Sequence, residues 1–243
     1  MLAAQPDTSK IEAILASSLE AGKLLLSDIE KQKLLREVRS LPIRYQSLAL
    51  EGFIVLLDGQ IERGVEAVEK SLKLSPYDPV TWGNYSSALS NIGLYSKERE
   101  IIIRSLEYDL PRMANRAFHF GAFWADAEML KMGYDRLERY NQLNTITDSI
   151  QFEVWRMVEC IGEESSRHLK KVAEVLMHVI ESEHIKAKGS NLLTDGEGYT
   201  SFSVAIDTDD HAYLSYLNDK VIDVMIERGL ETGCSVAFFE AAN

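Results

Sequence analysis

YQSLALEGFIVLLDGQIERGVEAVEKSLKLSPYDPVTWGNYSSALSNIGLYSKEREIIIRSLEYDLPR (Tyr45–Arg112) carries one pattern twice, offset by 34 residues. Leu48 recurs as Trp82, Gly52 as Ser86, Val55 as Leu89 and Gly59 as Gly93. Further on, Ile61 recurs as Tyr95, Ser71 as Ser105 and Leu72 as Leu106. Few residues are identical, but size and polarity are kept where the two helices of a hairpin must touch. A repeat of this length predicts helix–turn–helix units that stack side by side into an array. The turns fall at Leu57-Asp58-Gly59-Gln60 and Asn91-Ile92-Gly93-Leu94, because glycine enters the left-handed backbone of a helix end without a Cβ penalty.

The second copy, PVTWGNYSSALSNIGLYSKEREIIIRSLEYDLP, has its aromatic at Trp82, a turn glycine at Gly93, Tyr95 opening the second helix and the small Ser105. The first copy supplies small residues at Gly52 and Gly64 and a closing Pro76. The pattern resembles the tetratricopeptide repeat family. It departs from it at Glu98, where the family has a small residue, and at Pro111, one place late. The resemblance implies a concave groove lined by the first helix of each unit. Ala49, Phe53, Leu56 and Leu57 would face it from the first copy, and Gly83, Asn84, Ser87 and Asn91 from the second. Asn84 stands where family members hydrogen-bond a bound peptide's backbone, a task suited to an amide that both donates and accepts. Leu50 holds that place in the first copy, so there is no asparagine ladder. The basic residues of a carboxylate clamp are also missing, which disfavours an acidic C-terminal peptide as ligand.

Ser9–Arg39 reads as a helical hairpin bent near Gly22 and stopped by Pro42, with Asp7 or Thr8 as the first N-cap. It lacks the repeat's small residues, so residues 1–44 are expected to cap the array. The repeats run over 45–146. Their third unit, ANRAFHFGAFWADAEMLKMGYDRLERYNQLN, is expected to be distorted, with Gly121 in its first helix, a turn at Gly133-Tyr134 and that helix one turn too long. Residues 147–183 give a further pair of helices. Ile150, Val154, Val158 and Ile161 mark one face of the first, and Leu169, Val172, Leu176, Val179 and Ile180 one face of the second.

From Glu183 the character changes. HIKAKGSNLLTDGEG reads as a loop, after which Phe202, Val204 and Ile206 alternate with small or polar residues as in a strand. Asp207–Asp210 opens a helix that Gly229 stops, and Cys234–Phe239 reads as another strand. A strand–helix–strand crossover needs a third strand, from the 184–194 segment or from a second copy of the chain. Tyr216, Ile222 and Ile226 give that helix a second apolar side, which calls for a cover beyond the sheet. A homodimer through this sheet or helix is one source of it. The fold class is therefore mainly α, a repeat array followed by a small α+β domain at 184–243.

With 46% hydrophobic and 26% charged residues the composition is that of a globular protein. MLAAQPDTSK has no signal-peptide pattern and no apolar run suits a membrane span. Cys160 and Cys234, far apart and without metal spacing, fit a reducing cytoplasm as small core residues. The net charge of −12 is concentrated late: residues 147–243 hold 8 Lys+Arg against 18 Asp+Glu. Such a surface repels phosphate, so nucleic acid is disfavoured as a partner, and a basic protein would be attracted.

The residues that could carry chemistry have simpler explanations. Asp207–His211 (DTDDH) is a helix cap more readily than a metal site, with Asp207 or Thr208 as the capping residue. The five histidines form no ligand pair, Ser86–Ser90 has no nucleophile elbow, and no phosphate-cradling glycine motif occurs. The rings of Phe118–Trp124 (FHFGAFW) circle a whole helix, so at least one lacks cover unless the next helices wrap it; core packing is the expectation, a partner or dimer patch the alternative. The sequence thus predicts no cofactor, no metal and no enzyme, but an adaptor that binds another protein or peptide. The alternative is an acidic inhibitor, immunity or antitoxin-like protein that blocks a basic partner.

Overall fold

In a computed structural model, which describes residues 8–195, 197–230 and 233–242, the chain is mainly helical and ends in a three-stranded sheet. It divides into two compact units, residues 1–110 and 111–243.

The first unit holds α1 (Ser9–Ala21), α2 (Asp28–Arg39), α3 (Arg44–Leu57), α4 (Ile61–Leu74), α5 (Pro79–Ile92) and α6 (Tyr95–Ser105). The starts of α4 and α6 are 34 residues apart, matching the sequence period. Gly59 (φ 83°) and Gly93 (φ 84°) make the expected left-handed turns. Pro79 at the first position of α5 follows Asp78, whose carboxylate accepts from the Val80 and Thr81 amides and so satisfies two free donors of the helix end.

The α3–α4 hairpin is close because both contact residues lack a side chain. A Cβ on Gly64 would lie 2.6 Å from the Leu56 backbone, and one on Gly52 would lie 2.9 Å from the Val68 nitrogen. At the matching places of α5 and α6 stand Ser86 and the buried Glu98, and the Ser86 hydroxyl donates to Oε1 of Glu98 at 3.1 Å. These larger groups hold the second hairpin wider apart, and hydrogen bonding offsets the cost of burying the carboxylate. Across the repeats, the Arg104 guanidinium of α6 grips both oxygens of Glu69 in α4 at 3.0 and 2.8 Å and lies 5.7 Å from the Trp82 ring centre.

The N-terminal helices depart from a simple cap. Ser27 and Glu30 form a reciprocal capping box at the start of α2, which packs on α3. Thr8 precedes α1, but its hydroxyl donates to Glu12 and caps no backbone amide, and Asp7 lies outside the described residues. Instead of pairing only with α2, α1 extends over α3 and α5. Ile11 and Leu15 share a core with Leu34, Leu35 and Val38 of α2 and with Leu50 and Ile54 of α3. The last turn of α1 then reaches α5, where the Asn91 amide donates to the Leu19 carbonyl at 2.8 Å.

The second unit opens with α7 (Pro111–Phe123) and α8 (Ala127–Arg139). This third hairpin is regular, not distorted. Its turn is Trp124–Asp126, with Ala125 in the left-handed region (φ 51°) and Asp126 capping α8 through the Glu128 and Met129 amides. Gly133 lies inside α8, where a Cβ would come within 2.5 Å of the Phe118 nitrogen, and one on Gly121 would come as near the Leu130 nitrogen. Gly121 and Gly133 thus repeat the backbone contact of Gly52 and Gly64 at the same spacing along the chain.

Next come α9 (Ile150–Cys160) and α10 (Glu163–Ser182). The first packs against α7 and α8, while the second backs the sheet. Ile150 is exposed; the buried side of α9 is Trp155 and Val158, because Trp155 stacks on Tyr134 at 5.2 Å and lies 6.4 Å from Phe118. Phe118, Phe120 and Trp124 are buried within this unit, and Phe123 is left partly uncovered. Cys160 is exposed, not a core residue, and neither cysteine is paired.

The expected loop at 184–198 is in large part a strand. β1 (Ala187–Thr194) pairs antiparallel with β2 (Thr200–Ile206), and β2 pairs parallel with β3 (Ser235–Ala241) through the crossover helix α11 (His211–Glu227). The chain therefore supplies its own third strand. Phe202, Val204, Ile206, Leu192 and Phe239 face α10 and α11, whereas Leu193, Val236 and Phe238 lie on the opposite face and are exposed. On α11 only Leu217 and Val221 are buried; the apolar side bearing Tyr216, Ile222 and Ile226 is exposed, so it has no second cover among the described residues.

The outer edge of β3 is closed by side chains. The Asn218 amide of α11 accepts from the Phe239 N–H at 2.7 Å and donates to the Phe239 carbonyl at 3.1 Å, taking the place of a neighbouring strand. His168 of α10 accepts from the Ser235 N–H on Nδ1 at 3.2 Å and lies 3.2 Å from the Leu230 carbonyl on Nε2. A carbonyl can only accept, so these partners fix the neutral tautomer with its proton on Nε2. An edge pinned in this way is a poor template for strand addition.

Candidate functional site

The first helices of the two repeats, α3 and α5, lie side by side and present a common furrow. Helical spacing sets Asn84, Ser87 and Asn91 along one face of α5, and Ala49, Phe53 and Leu57 along one face of α3. Leu56 is not on that face. Its backbone abuts Gly64, which places it inside the α3–α4 hairpin; assignment by repeat position alone misses this, since the glycine draws α4 against it.

The predicted residues on the furrow divide into two groups. At one end Ala49, Phe53 and Asn84 come together around a cleft of about 360 Å³ with Tyr45, Gln46 and Thr81. Thr8, Ser9 and Glu12 from the start of α1 form another of its walls. At the other end Leu57 and Asn91 are already engaged. The Leu57 carbonyl accepts from the Leu24 N–H at 2.7 Å, and Asn91 is bound to Leu19. Ser87 lies between the two groups, half-buried.

Polarity in the cleft is uneven. The Gln46 Oε1 is buried and has no hydrogen-bond partner, a costly condition for an amide oxygen. The Asn84 amide is half-buried on the opposite wall. The carboxylates of Glu12 and Asp78 lie on the rim, the first bound by Thr8 and the second by the α5 amides. Behind Asn84, Tyr85 is fully buried; burial, and then the nearby Glu69 carboxylate, push its hydroxyl above the ordinary value of 10. Tyr85 is not a wall of the cleft. Gln46 was not singled out from the sequence, because an amide on the first turn of a helix gives no periodic signal.

No protein family, curated protein or solved structure matches the chain. The geometry of the cleft therefore carries the functional reading.

In Asp207–His211 the capping residue is Asp210, whose carboxylate accepts from the Ala212 and Tyr213 amides, not Asp207 or Thr208. Asp207 instead lies 3.3 Å from Lys188 of β1. Among the described residues no group of histidine, cysteine, aspartate or glutamate is arranged to hold a metal, and no helix is long and apolar enough to cross a membrane. A second hollow, about 600 Å³, lies where the start of α10 meets the sheet and includes Arg167, His168, Lys171, Tyr199 and Cys234. With both ring nitrogens of His168 occupied by backbone groups, that histidine has no free nitrogen to activate the thiol.

Proposed function

We propose that this protein is a non-enzymatic adaptor of the tetratricopeptide type, whose α3–α5 furrow receives a polypeptide segment of another protein. One observation carries the reading. Residues from successive repeats, Ala49 and Phe53 on one side and Asn84 on the other, converge on a single cleft that also holds the unpaired Gln46 oxygen. Apolar walls would take a side chain. The two amides would take a backbone N–H and a backbone C=O, which is how a groove binds a peptide with modest dependence on its sequence. The pinned β3 edge agrees with a contact made through the furrow and not by strand addition. A cytoplasmic setting belongs to the same reading, since both cysteines are unpaired.

The test is selection of displayed peptides on the full chain, followed by titration against Asn84→Ala and Gln46→Ala. A loss of about five- to tenfold in affinity with each variant is expected, from one charge-neutral hydrogen bond of about 1–1.5 kcal/mol. Selected peptides that bind both variants as tightly as the parent would place the site elsewhere.

A further inference from the structure

The furrow is already partly filled by the chain itself. α1 runs in the same direction as α3 and α5: its start meets Tyr45, Gln46 and Thr81 at the cleft, and its last turn meets Asn91. Its buried stripe is Ile11, Leu15 and Ser18, at i, i+4 and i+7, with Leu19 half-buried beside it. Two large aliphatics followed by a small residue suit a helix laid into a groove. Beyond that stripe, hydrogen bonds hold its last turn. Asn91 holds the Leu19 carbonyl, and the Ser18 hydroxyl accepts from the Leu25 N–H at 3.1 Å. Thr8 provides no backbone cap at its start. The seating is also incomplete at the cleft end, where Gln46 keeps a buried oxygen without a donor.

We propose that α1 is an exchangeable resident of the furrow, and that the partner segment is an amphipathic helix carrying the same stripe, which displaces it. The proposal rests on the adaptor reading for its biological meaning, but its physical content, exchange of a helix, is tested separately. α2 and α3 also pack on each other, and the surface uncovered when α1 leaves is Leu34, Leu35 and Val38 of α2 with Leu50 and Ile54 of α3, which adjoins the furrow through the cleft residue Leu50. That surface matches a second helix of the same pattern.

The experiment uses the full chain and one probe, a labelled synthetic peptide of residues 8–22. In the parent protein the tethered α1 competes at an effective concentration of about millimolar, so the peptide binds weakly. Leu15→Asp in the protein expels α1 by placing a charge in the apolar seat, and peptide affinity is expected to rise at least about tenfold. A peptide with the same Leu15→Asp change should not bind. If the variant protein loses helical signal by circular dichroism, added parent peptide should restore it. A folded variant that ignores the peptide, or an unfolded one that the peptide fails to rescue, overturns the proposal. Exchange of this peptide with full affinity in an Asn84→Ala background would leave the proposal standing while removing the cleft reading, so the two failures are distinguishable.

Discussion

Replacing Gly64 with alanine sets two known effects against each other. Alanine in a helix interior is favoured over glycine by about 1 kcal/mol, so the change would stabilise a solvent-facing α4. In this hairpin the new methyl would lie 2.6 Å from the nitrogen, Cα and Cβ of Leu56, where nonbonded carbons settle at about 3.5–4.0 Å. The obstacle is the backbone of α3, so no side-chain rotation relieves it and the helices must part by about 1 Å. Such overpacking costs about 1–3 kcal/mol, and separation also loosens Val68 from Gly52, so the net expectation is a loss of about 1–2 kcal/mol. For a unit of this size that lowers Tm by about 5–15 °C. Urea and thermal unfolding followed by circular dichroism would measure it, with Lys73→Ala on the exposed side of α4 as a control expected within about 0.5 kcal/mol of the parent. Gly133→Ala, whose methyl would meet the Phe118 nitrogen at 2.5 Å, should behave alike in the second unit. If Gly64→Ala were as stable as the parent or more so, the close backbone contact that defines the hairpin would be refuted.

Other outcomes follow from individual contacts. Asn218→Leu leaves the Phe239 N–H and C=O without partners and opens the β3 edge; a loss of about 1–3 kcal/mol is expected, with concentration-dependent association seen by light scattering. Gly233→Ala puts a methyl 1.7 Å from the His168 Nε2 and evicts the ring, so it should cost about as much as His168→Ala, and the double variant little more than either. Additive losses in that cycle would show that the glycine acts elsewhere. Burial, helped by the positive charge of Arg116, holds the His119 pKa below its ordinary 6.5. The unfolded chain then binds the extra proton first, so this stability is complete above 6.5 and is lost as pH falls through the window down to the lowered folded value. His119→Gln should flatten that part of a Tm-against-pH curve, and an unchanged slope would assign it to other groups.

How far the sequence could be read depended on where the signals lay. The repeat at Tyr45–Arg112 was legible because glycine turns and apolar periodicity coincide there. The crossover from β2 through α11 to β3 was legible because the period changes from 2 to helical and back. β1 was left as one of two sources for the third strand, beside a second copy of the chain, since Lys188-Gly189-Ser190-Asn191 has turn-like composition; as an outer strand with only Leu192 buried it needs no alternation. The third hairpin was misread for a related reason. Its turn uses Ala125 instead of glycine, while Gly133 serves a helix contact, although the equal Gly52–Gly64 and Gly121–Gly133 spacings were there to be seen. The position of α1 was beyond reach. Its stripe shows that it is amphipathic, but not that its end is held by Asn91, 72 residues further on.

Hydrogen exchange with and without a selected peptide tests the central claim most directly. Slower exchange is predicted for the amides of Ala49–Phe53 and Thr81–Asn84, together with faster exchange along α1 as it is displaced. Protection confined to β1–β3 or α11, with the α3–α5 furrow unchanged, would contradict it.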